Sequence, residues 1–441
     1  MGLNDDVRLK ADTNEFASLT PLEPLIDKCV HCGFCLPTCP SYILLGNEMD
    51  SPRGRIYMMK AGTEGRMTMT EGMVAHFDTC LGCMACETAC PSGVRYAPLV
   101  EETRAAIEHH HTRPLGERVF RRLLFSLLPY PTRLRLFALP LALVNVLRDR
   151  KGVLSLLPRK LRNLIELAPD ARHARSVSVP EHTDAIGATR LRVGFVTGCV
   201  QQVFFGHVND ATVRVLAAEG CEVVAPRSQG CCGALALHSG RDEDARGFAR
   251  KLIASFERTN VDLVVVNAAG CGSSLKTYGE LFRNDSAWSA RAKAFAAKVR
   301  DVTEVLASLG APQAPRHRLD MRVAYHDACH LGHAQGIRQE PRDLLAAIPG
   351  VTLVPVAESD ICCGSAGIFN LVQPEMAAEL GRRKAAHIAA ASPDIIATTN
   401  PGCMLQITAA ARAAGNDRPI VHVVEILDAS IRGERVRATI P

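Results

Sequence analysis

The 441-residue chain is poor in aromatics, at 5% with a single tryptophan, and nowhere does it run eighteen apolar residues together. A helix that spans a bilayer needs about 20 such residues, and the nearest approach, residues 137–147, is about half that and carries Pro140. The opening stretch, residues 1–10, is polar and lacks the apolar core of a secretion signal. Also missing are a Gly-x-Gly-x-x-Gly following a strand, a phosphate-binding loop, a Gly-x-Ser-x-Gly and a His-Glu-x-x-His. Each absence removes a chemistry: nicotinamide or flavin binding, nucleotide hydrolysis, serine hydrolysis and zinc peptidase action. The net charge of +5 comes from 51 basic against 46 acidic side chains and is scattered, which gives no footprint for nucleic acid. It leaves open a peripheral contact with an anionic membrane surface or with an acidic partner. The reading is a cytoplasmic protein, with the cytoplasmic face of the inner membrane as the place for any such contact.

Cysteine is abundant instead. Seventeen is an odd number, and without a secretion signal it points to reduced, metal-binding thiolates rather than a disulfide scaffold. Length predicts more than one domain, and texture divides the chain into four. Residues 1–100 are cysteine-rich. Residues 101–185 contain no cysteine and read as a Leu/Arg-rich helical connection punctuated by prolines. Residues 190–315 and 320–441 are two α/β regions that repeat each other. Cys199, Cys231-Cys232-Gly233 and Cys271 recur as Cys329, Cys362-Cys363-Gly364 and Cys403, with offsets of 130 to 132 residues. Apolar strand-like runs precede the first and last cysteine of each copy, and each copy carries a basic pair, Arg250-Lys251 or Arg383-Lys384. Such matching register identifies an internal duplication. The expected fold class is therefore α+β multidomain: a helical two-cluster domain, a helical connection and two duplicated α/β Cys-Cys-Gly domains.

Two motifs carry the chemistry. Cys29-x2-Cys32-x2-Cys35-x3-Cys39-Pro40 is matched by Cys80-x2-Cys83-x2-Cys86-x3-Cys90-Pro91. Three thiolates at intervals of three grip three corners of a [4Fe–4S] cubane, and in two-cluster ferredoxins the fourth ligates the other cluster. This pairs Cys29, Cys32, Cys35 and Cys90 with one cluster, and Cys80, Cys83, Cys86 and Cys39 with its neighbour. Structural zinc favours two separated Cys-x2-Cys pairs and fits this crowding poorly. The forty-residue loop between the motifs, helical around residues 55–61, resembles the helical ferredoxin domains of respiratory dehydrogenases.

Adjacent thiols invite oxidation unless they are buried or metal-bound. Each duplicated unit therefore offers four thiolates for a further cluster or metal: Cys199, Cys231, Cys232 and Cys271, then Cys329, Cys362, Cys363 and Cys403. Buried structural cysteines are the alternative, and that is the reading for the one left over, Cys221. His326, Asp327 and His330 flank Cys329, and His238 follows the first cysteine pair. Such a histidine serves either as a ligand or proton partner or as a satisfied neighbour. The Arg/Leu-rich stretch at 119–162 either packs helices against the ferredoxin domain or lays a basic amphipathic face on a membrane or partner.

These residues together resemble the glycolate oxidase (glycolate dehydrogenase) iron–sulfur subunit family over essentially the whole chain. The resemblance is carried by Cys29-Val30-His31-Cys32-Gly33-Phe34-Cys35 with Leu36-Pro37-Thr38-Cys39-Pro40, and by Leu45-Gly46-Asn47-Glu48 leading into Ser51-Pro52-Arg53-Gly54-Arg55-Ile56. It continues through Thr79-Cys80-Leu81-Gly82-Cys83-Met84-Ala85-Cys86 and both Cys-Cys-Gly units. It implies an electron-transfer subunit with two [4Fe–4S] clusters and no substrate-oxidising or catalytic residue of its own. FAD would sit on a partner flavoprotein dehydrogenase subunit that oxidises glycolate to glyoxylate, and electrons would pass on to a quinone or other acceptor. Lactate or glycerol-3-phosphate oxidation is the nearby alternative, and a zinc-binding assembly or scaffold protein is the alternative of another class. One departure stands out: the fuller Cys-Cys-Gly pattern ends each unit in Cys-x2-Cys, and here Ser274 and Gln406 replace the final cysteine. That speaks against five-thiolate cluster chemistry and heterodisulfide reduction.

Overall fold

The computed structural model describes residues 15–138, 165–167, 179–416 and 418–436. The chain falls into two compact units, one of residues 1–114 with 238–241 and one of residues 115–237 with 242–441.

The first unit is helical. Its principal helices are Pro40–Leu45, Pro52–Thr63, Glu71–Asp78 and Tyr96–His110. Their starts are written into the sequence. Ser51 accepts a hydrogen bond from the Gly54 N–H at 3.0 Å, with Pro52 at the first helical position, and Thr70 accepts from Met73 at 3.3 Å. Gly54 is obligatory for a spatial reason: a Cβ there would lie 2.0 Å from the Glu48 carbonyl oxygen. The apolar faces close over a core of Phe16, Leu19, Met59, Phe77, Leu99 and Ile107. Between them the two cysteine motifs run as tight loops, with left-handed backbone at Gly33 and Gly82.

The second unit holds two sheets. The first contains β1 (His182–Thr183), β2 (Leu191–Val196), β3 (Cys221–Val224), β4 (Leu263–Val266) and β5 (Val299–Asp301), in the order β1-β3-β2-β4-β5. The second contains β6 (Met321–Tyr325), β7 (Val351–Val354), β8 (Ile395–Thr398) and β9 (Ile420–His422), in the order β7-β6-β8-β9. All pairings are parallel except that of the short β1 with β3. The register repeats as well: Val193 pairs with Leu263 as Val323 pairs with Ile395. The duplication expected from cysteine spacing is thus present in strand order and register. Because parallel strands are covered on both faces, β4 and β8 are apolar throughout or nearly so. One continuous core, including Val193, Val265, Val323, Ile396 and Leu427, takes side chains from both sheets. Cys221 lies fully buried in it, as a core residue.

The described part of the helical connection includes the amphipathic helix Leu115–Leu127. Leu124 and Phe125 pack on Leu235 and Ile368 of the α/β unit, while Leu115, Val119 and Leu123 are exposed. The rest of the Arg/Leu-rich stretch, from residue 139 on, lies outside the described residues.

Two matching capping boxes follow β5 and β9. Asp301 caps the helix Val302–Ser308 with Glu304, and His422 caps Val423–Arg432 with Glu425. His422 accepts at Nδ1 from the Val424 N–H (3.2 Å), and its Nε2 lies 2.9 Å from the Asn267 carbonyl oxygen. Both bonds require a neutral ring protonated on Nε2. Burial pulls the ring's pKa from 6.5 down to about 4. The unfolded chain therefore takes up this proton first as pH falls below about 6.5, and the contribution to stability shrinks toward pH 4. Asp301, pushed up by burial to about 6, acts in the opposite sense over the same window. It does so equally in a variant altered only at residue 422. His422→Asn keeps a good cap, so its loss of Tm between pH 7 and pH 5 should be smaller than that of the natural chain, corresponding to about 2 kcal/mol. Equal losses in calorimetric scans at the two pH values would refute this account.

Candidate functional site

In the first unit Cys29, Cys32, Cys35 and Cys90 line one cavity together with Val94, Pro52 and Arg53. Cys86 lines the same cavity. The motif's last cysteine thus reaches back to the loop of the other motif. The Cys39 sulfur lies 3.2 Å from the Ser41 hydroxyl, and its charge acts on Cys86 along with those of Cys83 and Cys80. Cys90 thus lies with the cysteines of the first motif, and Cys39 acts on those of the second. All eight are free thiols.

Their electrostatics differ by site. Burial pushes the Cys35 thiol up to about 11, and burial, with Cys83, Cys80 and Cys39 adding to it, raises Cys86 well above the ordinary range. Cys80 is the exception. Burial would raise it, but the Arg55 guanidinium, followed by Arg104, brings it below the ordinary thiol value. Arg55 is fully buried on the helix Pro52–Thr63 and spends its donors on the His76 carbonyl (2.7 Å), Thr79 Oγ1 (2.9 Å) and Ser41 Oγ (3.2 Å). Asp50 stands 3.6 Å away, itself bonded by Thr79 at 2.6 Å. A fixed cation therefore sits among Cys39, Cys80 and their neighbours. Sequence reasoning singled out the run from Ser51 to Ile56 but not this role, because a lone arginine in a helix carries no local sign that it is buried.

In the second unit the cysteines follow the strand order. Cys199 lies just beyond β2, Cys231-Cys232 beyond β3, and Cys271 beyond β4 on the helix Ala269–Lys276. Cys329, Cys362-Cys363 and Cys403 repeat this beyond β6, β7 and β8, with Cys403 in the first turn of the helix Pro401–Ala413. β2 and β4, like β6 and β8, flank the point where strand order reverses, and the crevice beyond the carboxyl ends there is where open parallel sheets bind ligands. Helix N-termini further favour anionic sulfur.

The two copies differ in chemistry. In the first, Cys231 lies 3.5 Å from Cys199, and the sulfurs of Cys199 and Cys232 push it well up; Cys232 does the same to Cys271. Tyr278 donates to the Cys232 carbonyl at 2.6 Å and fixes the pair. In the second, Cys329 and Cys362 are 3.8 Å apart. Here two thiols are pulled well below the ordinary range: Cys329 by Cys362 and then His330, and Cys363 by Cys362, Cys403 and His326. Lys384, one of the basic pair noted in the sequence, is buried and donates to the Ser359 carbonyl at 3.2 Å. Burial depresses its pKa, with Cys363 and Cys362 opposing that.

The flanking residues separate into distinct roles. Asp327 is held by Arg342 through two bonds of 2.7 and 2.6 Å, and His238 pairs with Glu101 at 3.0 Å. His330 lies 3.6 Å from the Cys329 sulfur. Ser274 and Gln406, which stand where the fuller motif has cysteine, are both buried, and Gln406 donates to the Ala377 carbonyl at 2.8 Å.

Comparison with known proteins agrees with this arrangement. Residues 25–94 match the 4Fe-4S dicluster domain, and residues 193–276 and 323–408 each match the cysteine-rich domain. A Bacillus subtilis protein named "Probable glycolate oxidase iron-sulfur subunit" is 37% identical, covering 96% of this chain and 98% of its own length. The Escherichia coli glycolate oxidase iron-sulfur subunit is 33% identical over 97% and 99%. Lactate utilization protein A of an Exiguobacterium strain is 29% identical over 54% of this chain and 97% of its own. A crystal structure of a hypothetical protein from Helicobacter pylori shares the fold, with a TM-score of 0.56 at 9% identity over 96% of this chain and 77% of that one. Among the described residues, no helix is long and apolar enough to cross a membrane.

Proposed function

Since the chain belongs to the glycolate oxidase iron–sulfur subunit family, we propose that it relays electrons from a flavoprotein partner, which oxidises glycolate to glyoxylate, toward a quinone-type acceptor. Cys29, Cys32, Cys35 and Cys90 would hold one [4Fe–4S] cluster and Cys39, Cys80, Cys83 and Cys86 the other. Each cluster accepts one electron at a time, so two of them divide the electron pair released by the alcohol carbon. FAD belongs to the partner, because this chain carries no dinucleotide loop.

The observation that carries this reading is the crossing of the two cysteine sets, with a buried arginine beside one of them. The residues fit cubanes for a further reason of scale. Sulfurs around a single tetrahedral zinc stand roughly 3.8 Å apart. Neither N-terminal set crowds three sulfurs within 4.8 Å of one another. The eight cysteines of the duplicated units are proposed as sites for a further cluster or metal, in keeping with a division of the chain into ferredoxin domain, helical connection and two α/β domains.

Protein purified without oxygen should contain at least about eight irons with matching sulfide. Its EPR signal should develop on adding glycolate only when the flavoprotein partner is present. Iron-free, zinc-loaded protein would sink the relay in favour of a scaffold. A faster response to lactate or glycerol-3-phosphate than to glycolate would transfer the substrate assignment.

Arg55→Gln should remove the cation beside the Cys39–Cys80 set. Net charge near a cluster is one of the determinants of its potential, so one of the two reduction steps should move to more negative potential while the other stays in place. EPR-monitored potentiometry reads this directly, and coincident shifts of both steps, or none, would contradict the placement.

A further inference from the structure

We propose that the second Cys-Cys-Gly unit binds a single zinc ion through His326, Cys363 and Cys403, with a fourth ligand from the Cys329–Cys362 pair. This rests on the reading of the duplicated units as metal sites and narrows it for one of them.

The ligating atoms of His326, Cys363 and Cys403 all lie within 4.8 Å of one another, and among the described residues this is the one group of three that does so. Zinc bonds of about 2.3 Å to sulfur and 2.0–2.1 Å to imidazole nitrogen place tetrahedral ligands roughly 3.5–3.8 Å apart. The group is therefore already close to the size of one ion. All three residues are buried, and among the described residues neither ring nitrogen of His326 has a nitrogen or oxygen hydrogen-bond partner, the Cys363 thiol being the neighbour it acts on. A buried polar ring without such partners is costly, and such a group calls for a ligand.

The ring is held in place by the sheet. The His326 N–H donates to the Ala397 carbonyl at 2.9 Å, and its carbonyl accepts from Thr398 Oγ1 at 3.2 Å, which ties the end of β6 to β8 just before Cys403. Asn400 Nδ2 donates to the Cys403 sulfur at 3.5 Å, an outer contact of the kind that orients a thiolate ligand. One imidazole and three thiolates around a divalent ion leave one negative charge, and the buried Lys384 ammonium stands near to balance it.

The duplication supplies an internal control. By strand register, the position of His326 is occupied in the first unit by Val196, a core residue. The first unit has the same four thiols but no imidazole, and no three of its sulfurs meet the same distance. Only the second copy is built for a mixed nitrogen–sulfur ion.

The test is metal analysis and zinc-edge X-ray absorption on the full chain purified without oxygen. One zinc per chain is expected, with one imidazole nitrogen and three sulfurs around it. His326→Ala should lower zinc retention against a chelator at least roughly ten-fold and leave iron unchanged. Cys199→Ser in the first unit should leave zinc unchanged. Should His326→Ala fail to fold, His326→Cys decides the matter by retaining zinc with four sulfurs and no nitrogen. Absence of zinc from the natural chain, an all-sulfur shell, or loss of iron rather than zinc in the His326 variants would overturn the proposal. A natural chain that holds the zinc but lacks the about eight N-terminal irons would instead overturn the relay and leave this site standing.

Discussion

A thiolate removed from water costs several kcal/mol unless a cation or an aligned dipole stands beside it. This chain buries twelve of its free cysteines, all but Cys221 in the four-cysteine sets. The requirement organises much of the local structure. Arg55 has no solvent exposure and no strong pairing to one carboxylate; its donors are spread over a carbonyl and two hydroxyls, so its charge remains available to the sulfurs. Asp50 is anchored by Thr79 and His76, which keeps the nearest anion in place without a close pair to Arg55. Gly54 lets the arginine-bearing helix start against the Glu48 turn. Ser51, Pro52 and Gly54 thus shape the start of the helix that places a single buried cation.

The second unit meets the same requirement with a different tool. Its cysteines emerge at the carboxyl ends of parallel strands, where helix N-termini converge, and the doubled sheet repeats that crevice at matching positions. Once the crevice is duplicated on one continuous core, one copy can change its ligands without either sheet losing its support. Arg214 reinforces the coupling by bridging from the helix Gly206–Ala218 to Asp428 on the helix Val423–Arg432 at 2.7 Å.

Cysteine spacing made the two motifs and the duplication readable from sequence. Those features are local in the chain, or repeat at a constant offset, and so need no knowledge of packing. Strand positions followed because fully buried parallel strands are short apolar runs. What stayed hidden depends on distance in three dimensions. His326 precedes Cys329 by three residues and reads as its neighbour. Yet the ring groups with Cys363 and Cys403, from β7 and β8, while the Cys329 sulfur pairs with Cys362. The helix Leu115–Leu127 announced its amphipathic character, but its partners Leu235 and Ile368 belong to segments more than a hundred residues away. Nothing in the helix itself selects them.

The contrast between the copies bears on what each crevice can hold. Zinc has no second oxidation state in reach, so a site that holds it cannot pass an electron and contributes rigidity instead. With zinc bound as proposed, the histidine at 326, where the first copy has Val196, would give fixed geometry rather than a redox centre in one half of the duplicated unit. The first copy keeps four thiols without an imidazole, two of them pushed up by neighbouring sulfurs. Thiols raised in this way bind a cation by giving up their protons. Under the zinc proposal, divergence of the two copies has a physical logic: a zinc-holding crevice would anchor the shared core and leave the four thiols of the other copy open to a different centre.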